Sequence, residues 1–184
     1  MRWQLRQAAE TLKNGGVIAY PTEAVYGLGC QPFDQAAVSR VLDLKQRHPG
    51  KGLILISDKL SRLEPFLKPL SKTERSKLAK SWPGPNTWLI PVQDWVPAWL
   101  TGSHATLAVR VTAHPVASGL CKLAGMPIVS TSANIAGHRP ARTSLQVRRQ
   151  FGDQLDAIVS GRTDSTANPS TIRDLKTGRV IRSA

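Results

Sequence analysis

Acidic residues are scarce in this sequence: 12 Asp and Glu stand against 25 Lys and Arg, giving a formal charge of +13 over 184 residues. Residues 1–92 carry 14 basic and 7 acidic side chains and the remainder 11 and 5, so the excess is spread through the fold and excludes a simple basic tail. A distributed excess favours a polyanionic partner, because each neutralised phosphate releases counterions and adds sequence-independent affinity. RNA, DNA and nucleotide phosphates all qualify. Cysteine is limited to Cys30 and Cys121, which make no disulfide framework and have no ligand spacing with the four histidines; a reducing cytoplasm suits them. Aromatics are only 5%, and the five tryptophans are not arranged as a stacking platform for bases. Arg2, Gln4, Arg6, Gln7 and Glu10 interrupt the N-terminus, which excludes a signal peptide, and no apolar run is long enough to span a membrane. Internal repeats, low-complexity tracts, a P-loop and a Cys-His pairing are also missing, so the usual hydrolytic machinery is not indicated.

What is present is a globular composition, 41% hydrophobic and 20% charged, of a length that fits one domain over residues 1–184 and, by expectation, a monomer. Leu5, Ala8, Ala9 and Leu12 fall on one helix face that Gly15 can close. Val17 to Tyr20 reads as a buried strand ending at Pro21, and Asp34 can cap a helix running to Lys45 with Ala37, Val38, Val41, Leu42 and Leu44 inward. Leu53 to Ile56 suits a central strand. Residues 59–80 read as a solvated helix with a basic face, followed by strands at 88–90 and 105–111. A helix from His114 to Gly125 precedes a strand at 127–129, and Thr143 opens a helix reaching Phe151. A strand near 157–159, a polar loop over 161–169, and strands at 170–172 and 180–182 complete an α/β order with an antiparallel finish.

Polar residues collect where strands end, which is where open α/β sheets bind ligands. Thr22 and Glu23 follow the first strand, and Gly27 and Gly29 allow close approach of a ligand or another chain segment. Ser130, Thr131, Ser132 and Asn134 follow a later strand, more hydrogen-bonding groups than a turn requires. Lys45, Arg47 and Lys51 flank a Pro-Gly loop that could cradle phosphate, although cations at a helix C-terminus also suit its dipole. Arg110 interrupts an apolar strand, and so must reach a carboxylate or a ligand anion.

Taken in order, Tyr20-Pro21-Thr22-Glu23-Ala24-Val25-Tyr26-Gly27-Leu28-Gly29, Lys45-Gln46-Arg47, Trp82-Pro83-Gly84-Pro85, Ala108-Val109-Arg110-Val111 and Ser130-Thr131-Ser132-Ala133-Asn134 resemble the YrdC family in its short bacterial form. The pair Lys45/Arg47 with Ser132/Asn134 is the most specific mark. The resemblance implies an open, twisted, mixed α/β sheet with helices on its faces and a concave basic cavity. It implies a nucleotidyl transfer in which L-threonine, bicarbonate and ATP, with Mg²⁺ arriving on the ATP, give threonylcarbamoyl-AMP and diphosphate. That product serves threonylcarbamoylation of adenosine 37 in tRNAs reading codons that begin with A, through other proteins. Position by position, Lys45, Arg47, Ser132, Asn134 and Arg182 would hold ATP, with Lys45 and Arg47 the catalytic counter-charges. Thr22, Arg110, Ser130 and Ser170 would hold threonine, no residue would be a dedicated metal ligand, and Glu23 is the one candidate base. Ala24, His48 and Gly52-Leu53 depart from the commoner family pattern, which bears on the shape of the phosphate loop. The competing reading is an RNA-binding module without chemistry of its own, acting on tRNA or double-stranded RNA or in ribosome assembly, motivated by the +13 charge.

Overall fold

The computed structural model describes residues 2–164 and 170–183. Helix α1 spans Arg2–Lys13 and buries Ala8, Ala9 and Leu12. It stops where Gly15 turns left-handed and the Gly16 N–H donates to the Thr11 carbonyl, the paired bonds that satisfy a helix end. The chain then forms β1 (Ile18–Pro21), β2 (Tyr26–Gly29), α2 (Gln35–Lys45), β3 (Ile54–Ser57), α3 (Lys72–Ala79), β4 (Asn86–Pro91) and α4 (Ala98–Thr101). It continues as β5 (Thr106–Val111), α5 (Pro115–Ala124), β6 (Ile128–Ser132), α6 (Ser144–Phe151), β7 (Ala157–Ile158), β8 (Thr171–Asp174) and β9 (Val180–Arg182). No helix of the described residues is long and apolar enough to cross a membrane.

All the strands join one mixed sheet in the order β7-β1-β2-β6-β3-β5-β4-β8-β9. Pairing is parallel for β1 with β7, β3 with β5 and β4 with β8, and antiparallel elsewhere. Antiparallel pairing is therefore present through the sheet and not only at its end. The strand at Tyr26–Gly29 was not foreseen, because glycine at every second position reads as a turn. The helix expected over 59–80 is confined to Lys72–Ala79; Pro65 and Pro69 break the earlier part, which forms two short 3-10 turns. Of the polar stretch 161–169, residues 165–169 lie outside the described residues.

Side chains alternate between the two faces of a strand, and the two faces here are covered unequally. On one face Leu55, Val109, Trp88, Ile90 and Val129 pack with Val38 and Val41 of α2, Leu78 of α3, and Val147 and Phe151 of α6 in the larger core. On the other, Ile18, Tyr20, Ile56 and Ile128 pack under Ala8 and Leu12 of α1 and Val116, Ala117, Leu120 and Cys121 of α5. That second layer covers only the β7 to β3 side. It also stops partway along β6, so that Ser130 and Ser132 of β6, with Ala108 and Arg110 of the neighbouring β5, line a cavity on the same face.

The glycines of β2 serve the packing of Tyr20. Its ring lies across them, so that a Cβ on Gly29 would meet the Val129 carbonyl oxygen at 2.6 Å and the ring at 2.8 Å. Overpacking of this kind typically costs about 1–3 kcal/mol. Gly29→Ala is expected to lower unfolding free energy by about 2 kcal/mol in chemical denaturation. Gly119→Ala, within α5 and with nothing nearer its added Cβ than 3.6 Å, is expected to raise stability by about 0.5–1 kcal/mol.

Candidate active site

The uncovered part of the sheet forms a cavity of about 450 Å³. The β1–β2 turn supplies Thr22 and Glu23, the loop after α2 supplies Arg47 and Lys51, and β5 and β6 supply Arg110, Ser130 and Ser132. From the far side of the sheet come Ser170, Ile181 and Arg182. Seven of the nine residues singled out in the sequence, Thr22, Arg47, Arg110, Ser130, Ser132, Ser170 and Arg182, thus line one space although they are up to 160 positions apart (182 minus 22). Lys45 and Asn134 are not in the lining; they stand directly behind Ser132.

Arg110 is 9% exposed. Its Nε donates to the Gly84 carbonyl at 2.9 Å, and its Nη2 meets Glu23 Oε2. The other carboxylate oxygen, Glu23 Oε1, accepts from the Thr112 hydroxyl at 2.9 Å and the Ala113 N–H at 3.1 Å. Burial pushes the Glu23 carboxyl up, but the Arg110 guanidinium, aided by these donors, outweighs burial and holds it below the usual carboxylate range. Arg110 has found a carboxylate within the chain and still lines the cavity. Beside it the Thr22 hydroxyl donates to the Val25 carbonyl at 2.6 Å, which leaves its oxygen free to accept. The buried Tyr20, whose hydroxyl donates to the Val129 carbonyl at 3.5 Å, has its pKa pushed up chiefly by desolvation.

The same lining holds cations that have no carboxylate partner among the described residues. Arg47 donates to the Gly52 carbonyl at 3.0 Å, and Arg182 to the Ser170 carbonyl at 2.9 Å. Ser170 Oγ in turn accepts from Thr87 at 2.9 Å. None of the ion pairs among the described residues involves Lys45, Arg47, Lys51 or Arg182. Burial lowers the pKa of Arg47, and the nearby Arg182 charge lowers it further. Half-buried like charges are unfavourable alone, and an anion between them removes the penalty.

Gln46 ends α2 and sets the direction in which Arg47 leaves it. It is the one non-glycine described residue with positive φ, 49°, and from this left-handed position its N–H and that of Arg47 close the end of α2. Lys45, on the helix face of Val38 and Val41, points inward and is 3% exposed, and beyond the turn Arg47 faces the cavity. Lys45 Nζ donates to the carbonyls of Ser132 at 2.5 Å and Asn134 at 2.9 Å, and reaches Asn134 Oδ1 at 3.4 Å. Ser132 Oγ donates to Asn134 Oδ1 at 2.6 Å, while Asn134 Nδ2 donates to the carbonyls of Ile135 and His138. The ammonium therefore sets the shape of the β6 exit loop from behind. Burial, with Arg47 adding to it, pushes the Lys45 pKa down to about 8.

Sequence reasoning missed three features of this site. Glu23 is held by Arg110, Thr112 and Ala113, so it is placed to orient and is poorly placed to take a proton. Thr112 and the Gly84 carbonyl complete that cluster from separate loops, which no local pattern signals. Among the described residues no group of three or more His, Cys, Asp and Glu gathers as a metal site, and Glu23 is the one carboxylate in the lining.

Comparisons with known proteins follow the same line. The family model described as Sua5_yciO_yrdC, telomere recombination, matches residues 10–184. The threonylcarbamoyl-AMP synthase of Cellvibrio japonicus is 54% identical over 179 residues, which cover 97% of this chain and 95% of that protein. The Pseudomonas aeruginosa synthase is 52% identical, covering 96% and 95%. Among solved structures, P. abyssi Sua5 complexed with L-threonine superposes with a TM-score of 0.91 at 33% identity over 98% of this chain. The match takes in 53% of the Sua5 chain, so this chain spans about half its length. The crystal structure of E. coli YciO gives a TM-score of 0.87 at 28% identity, covering 99% of this chain and 89% of that one. A cavity built from the strand ends that carry the motifs, a matching family model and relatives of about half identity along their length place the chain in the YrdC/Sua5 family, to which it belongs.

Proposed function

We propose that this chain is a threonylcarbamoyl-AMP synthase, acting as one domain in the cytoplasm. The observation that carries the reading is the pairing of charges in one cavity: Arg110 is neutralised by Glu23, while Arg47 and Arg182 line the same space with no ion pair among the described residues. The lining as a whole is basic, with Arg47, Lys51, Arg110 and Arg182 against one carboxylate. An amino acid's carboxylate suits the Arg110 guanidinium, and the hydroxyls of Thr22, Ser130 and Ser170 suit its ammonium and side chain. A triphosphate suits Arg47 and Arg182, with the Ser132 hydroxyl, which Lys45 and Asn134 hold in place, at the nucleotide.

The reaction has two steps. The threonine amine attacks the carbon of bicarbonate, a C–N bond forms and water leaves. A carbamate oxygen then attacks the α-phosphorus of ATP, and the bond to diphosphate breaks. Positioning and neutralisation of the phosphates carry most of such a transfer, which is what Arg47, Arg182 and the field of Lys45 supply. The lining does not form a cage for a metal ion, since Glu23 is committed; Mg²⁺ belongs to the substrate as MgATP. The adenylate then passes to proteins that transfer threonylcarbamoyl to tRNA adenosine 37.

The test is diphosphate release and incorporation of labelled bicarbonate into an adenylate, with and without L-threonine. Threonine-dependent label is the expected result. The +13 charge favours a second reading, a tRNA-binding module; salt-sensitive RNA binding with no turnover would overturn the synthase. Arg47→Ala is expected to raise the KM for ATP roughly 10- to 100-fold, the worth of a hydrogen bond to a charged group, and to leave the KM for threonine nearly unchanged. Lys45 gives a pH dependence. Its pKa of about 8 without ligand rises when phosphates approach, so ATP binding takes up a proton above pH 8 and weakens as pH climbs through that value. Calorimetry in buffers of different ionisation enthalpy should register this uptake, and Lys45→Gln should remove it.

A further inference from the structure

We propose that Glu23 is a positioning residue that sets amino-acid affinity by tethering the β1–β2 turn to Arg110, and that it does not act as a general base. The inference rests on the reading of Arg110 and Thr22 as threonine contacts. Those two residues sit on separate elements, Thr22 on the turn and Arg110 on β5, and a ligand touching both needs their separation fixed.

Glu23 supplies the link. Its Oε2 holds the buried Nη2 of Arg110, and its Oε1 is held by the Thr112 hydroxyl and the Ala113 N–H just beyond β5. Its own backbone carbonyl accepts from the Asp164 N–H at 2.8 Å, so the segment leaving β7 also rests on this residue. Arg110 has five N–H donors in a fixed fork. The Gly84 carbonyl takes Nε and Glu23 takes Nη2, and no described residue hydrogen-bonds Nη1, which leaves that end of the guanidinium for a ligand.

A carboxylate with both oxygens engaged, one of them by a guanidinium, is a weak proton acceptor. Removing its charge leaves Arg110 with one protein acceptor, free to swing out of plane, and unpins the turn that carries Thr22. Loss of orientation would weaken threonine binding with little effect on the attack at phosphorus, whose counter-charges, Arg47 and Arg182, form no ion pair with Glu23.

Steady-state kinetics of Glu23→Gln, read against the wild type, test this. The expected result is a threonine KM raised at least 10-fold, with the KM for ATP and kcat within about threefold of wild type. Thr112→Val, which removes one donor to Glu23 and keeps the ion pair, should shift the threonine KM in the same direction by a smaller factor. Glu23→Asp should restore part of the Gln loss if the charge still reaches Arg110. A kcat reduced 100-fold or more with the threonine KM unchanged would overturn the proposal and make Glu23 the base. An unaltered KM in both Glu23→Gln and Thr112→Val would also overturn it. If Glu23→Gln does not fold, the Thr112→Val shift decides alone. Absence of threonine-dependent turnover in the wild type would instead defeat the synthase reading, so the two failures are distinct.

Discussion

Unequal coverage of the sheet is the constraint from which the rest of the molecule follows. One face is packed along its length by α2, α3 and α6, while α1 and α5 cover only one side of the other. Strands buried on both faces read as apolar runs, which explains β3 and its neighbour Val109. Where the second layer stops, inward positions at every second residue become available for polar groups. Ile128, Ser130 and Ser132 show the change within one strand: the first lies under α5 and the next two face the cavity. The cavity is therefore a gap in the packing that the sequence lines with polar and charged groups.

Charge is distributed across that gap by three local devices. The buried face of α2 carries Lys45 behind the wall, and the left-handed Gln46 after it turns Arg47 into the cavity. The Lys45 ammonium, among three acceptors, shapes the loop that presents Ser132. Glu23 neutralises Arg110, while Arg47 and Arg182 form no ion pair among the described residues. The result is one cation balanced within the protein and two with no ion pair among the described residues, a division that suits the proposed amino acid and triphosphate.

Much of this was legible in the sequence, for identifiable reasons. Asp34 as a cap, the apolar positions of α2 and the run in β3 are local signals, and the structure carries each of them. The strand-end hydroxyls were legible because they exceed what turns need. The strand β2 was hidden because its alternating glycines exist to seat Tyr20, a tertiary reason that local reading takes for a turn. The partner of Arg110 could be foreseen as an anion and not as Glu23, since 87 positions separate them (110 minus 23) and only the sheet order brings them together. Lys45 was legible as a cation near a phosphate loop; its inward direction follows from the helix face it shares with Val38 and Val41, where its charge is met by carbonyls of a loop far away in the sequence.

The central claim is that one cavity holds both substrates. A crystal structure with L-threonine and a non-hydrolysable ATP analogue tests it most directly. The account predicts the amino-acid carboxylate on Arg110 and the triphosphate between Arg47 and Arg182, within reach of each other in the same space. A triphosphate bound elsewhere, such as on the lysine-rich surface of α3, or a threonine carboxylate away from Arg110, would contradict it.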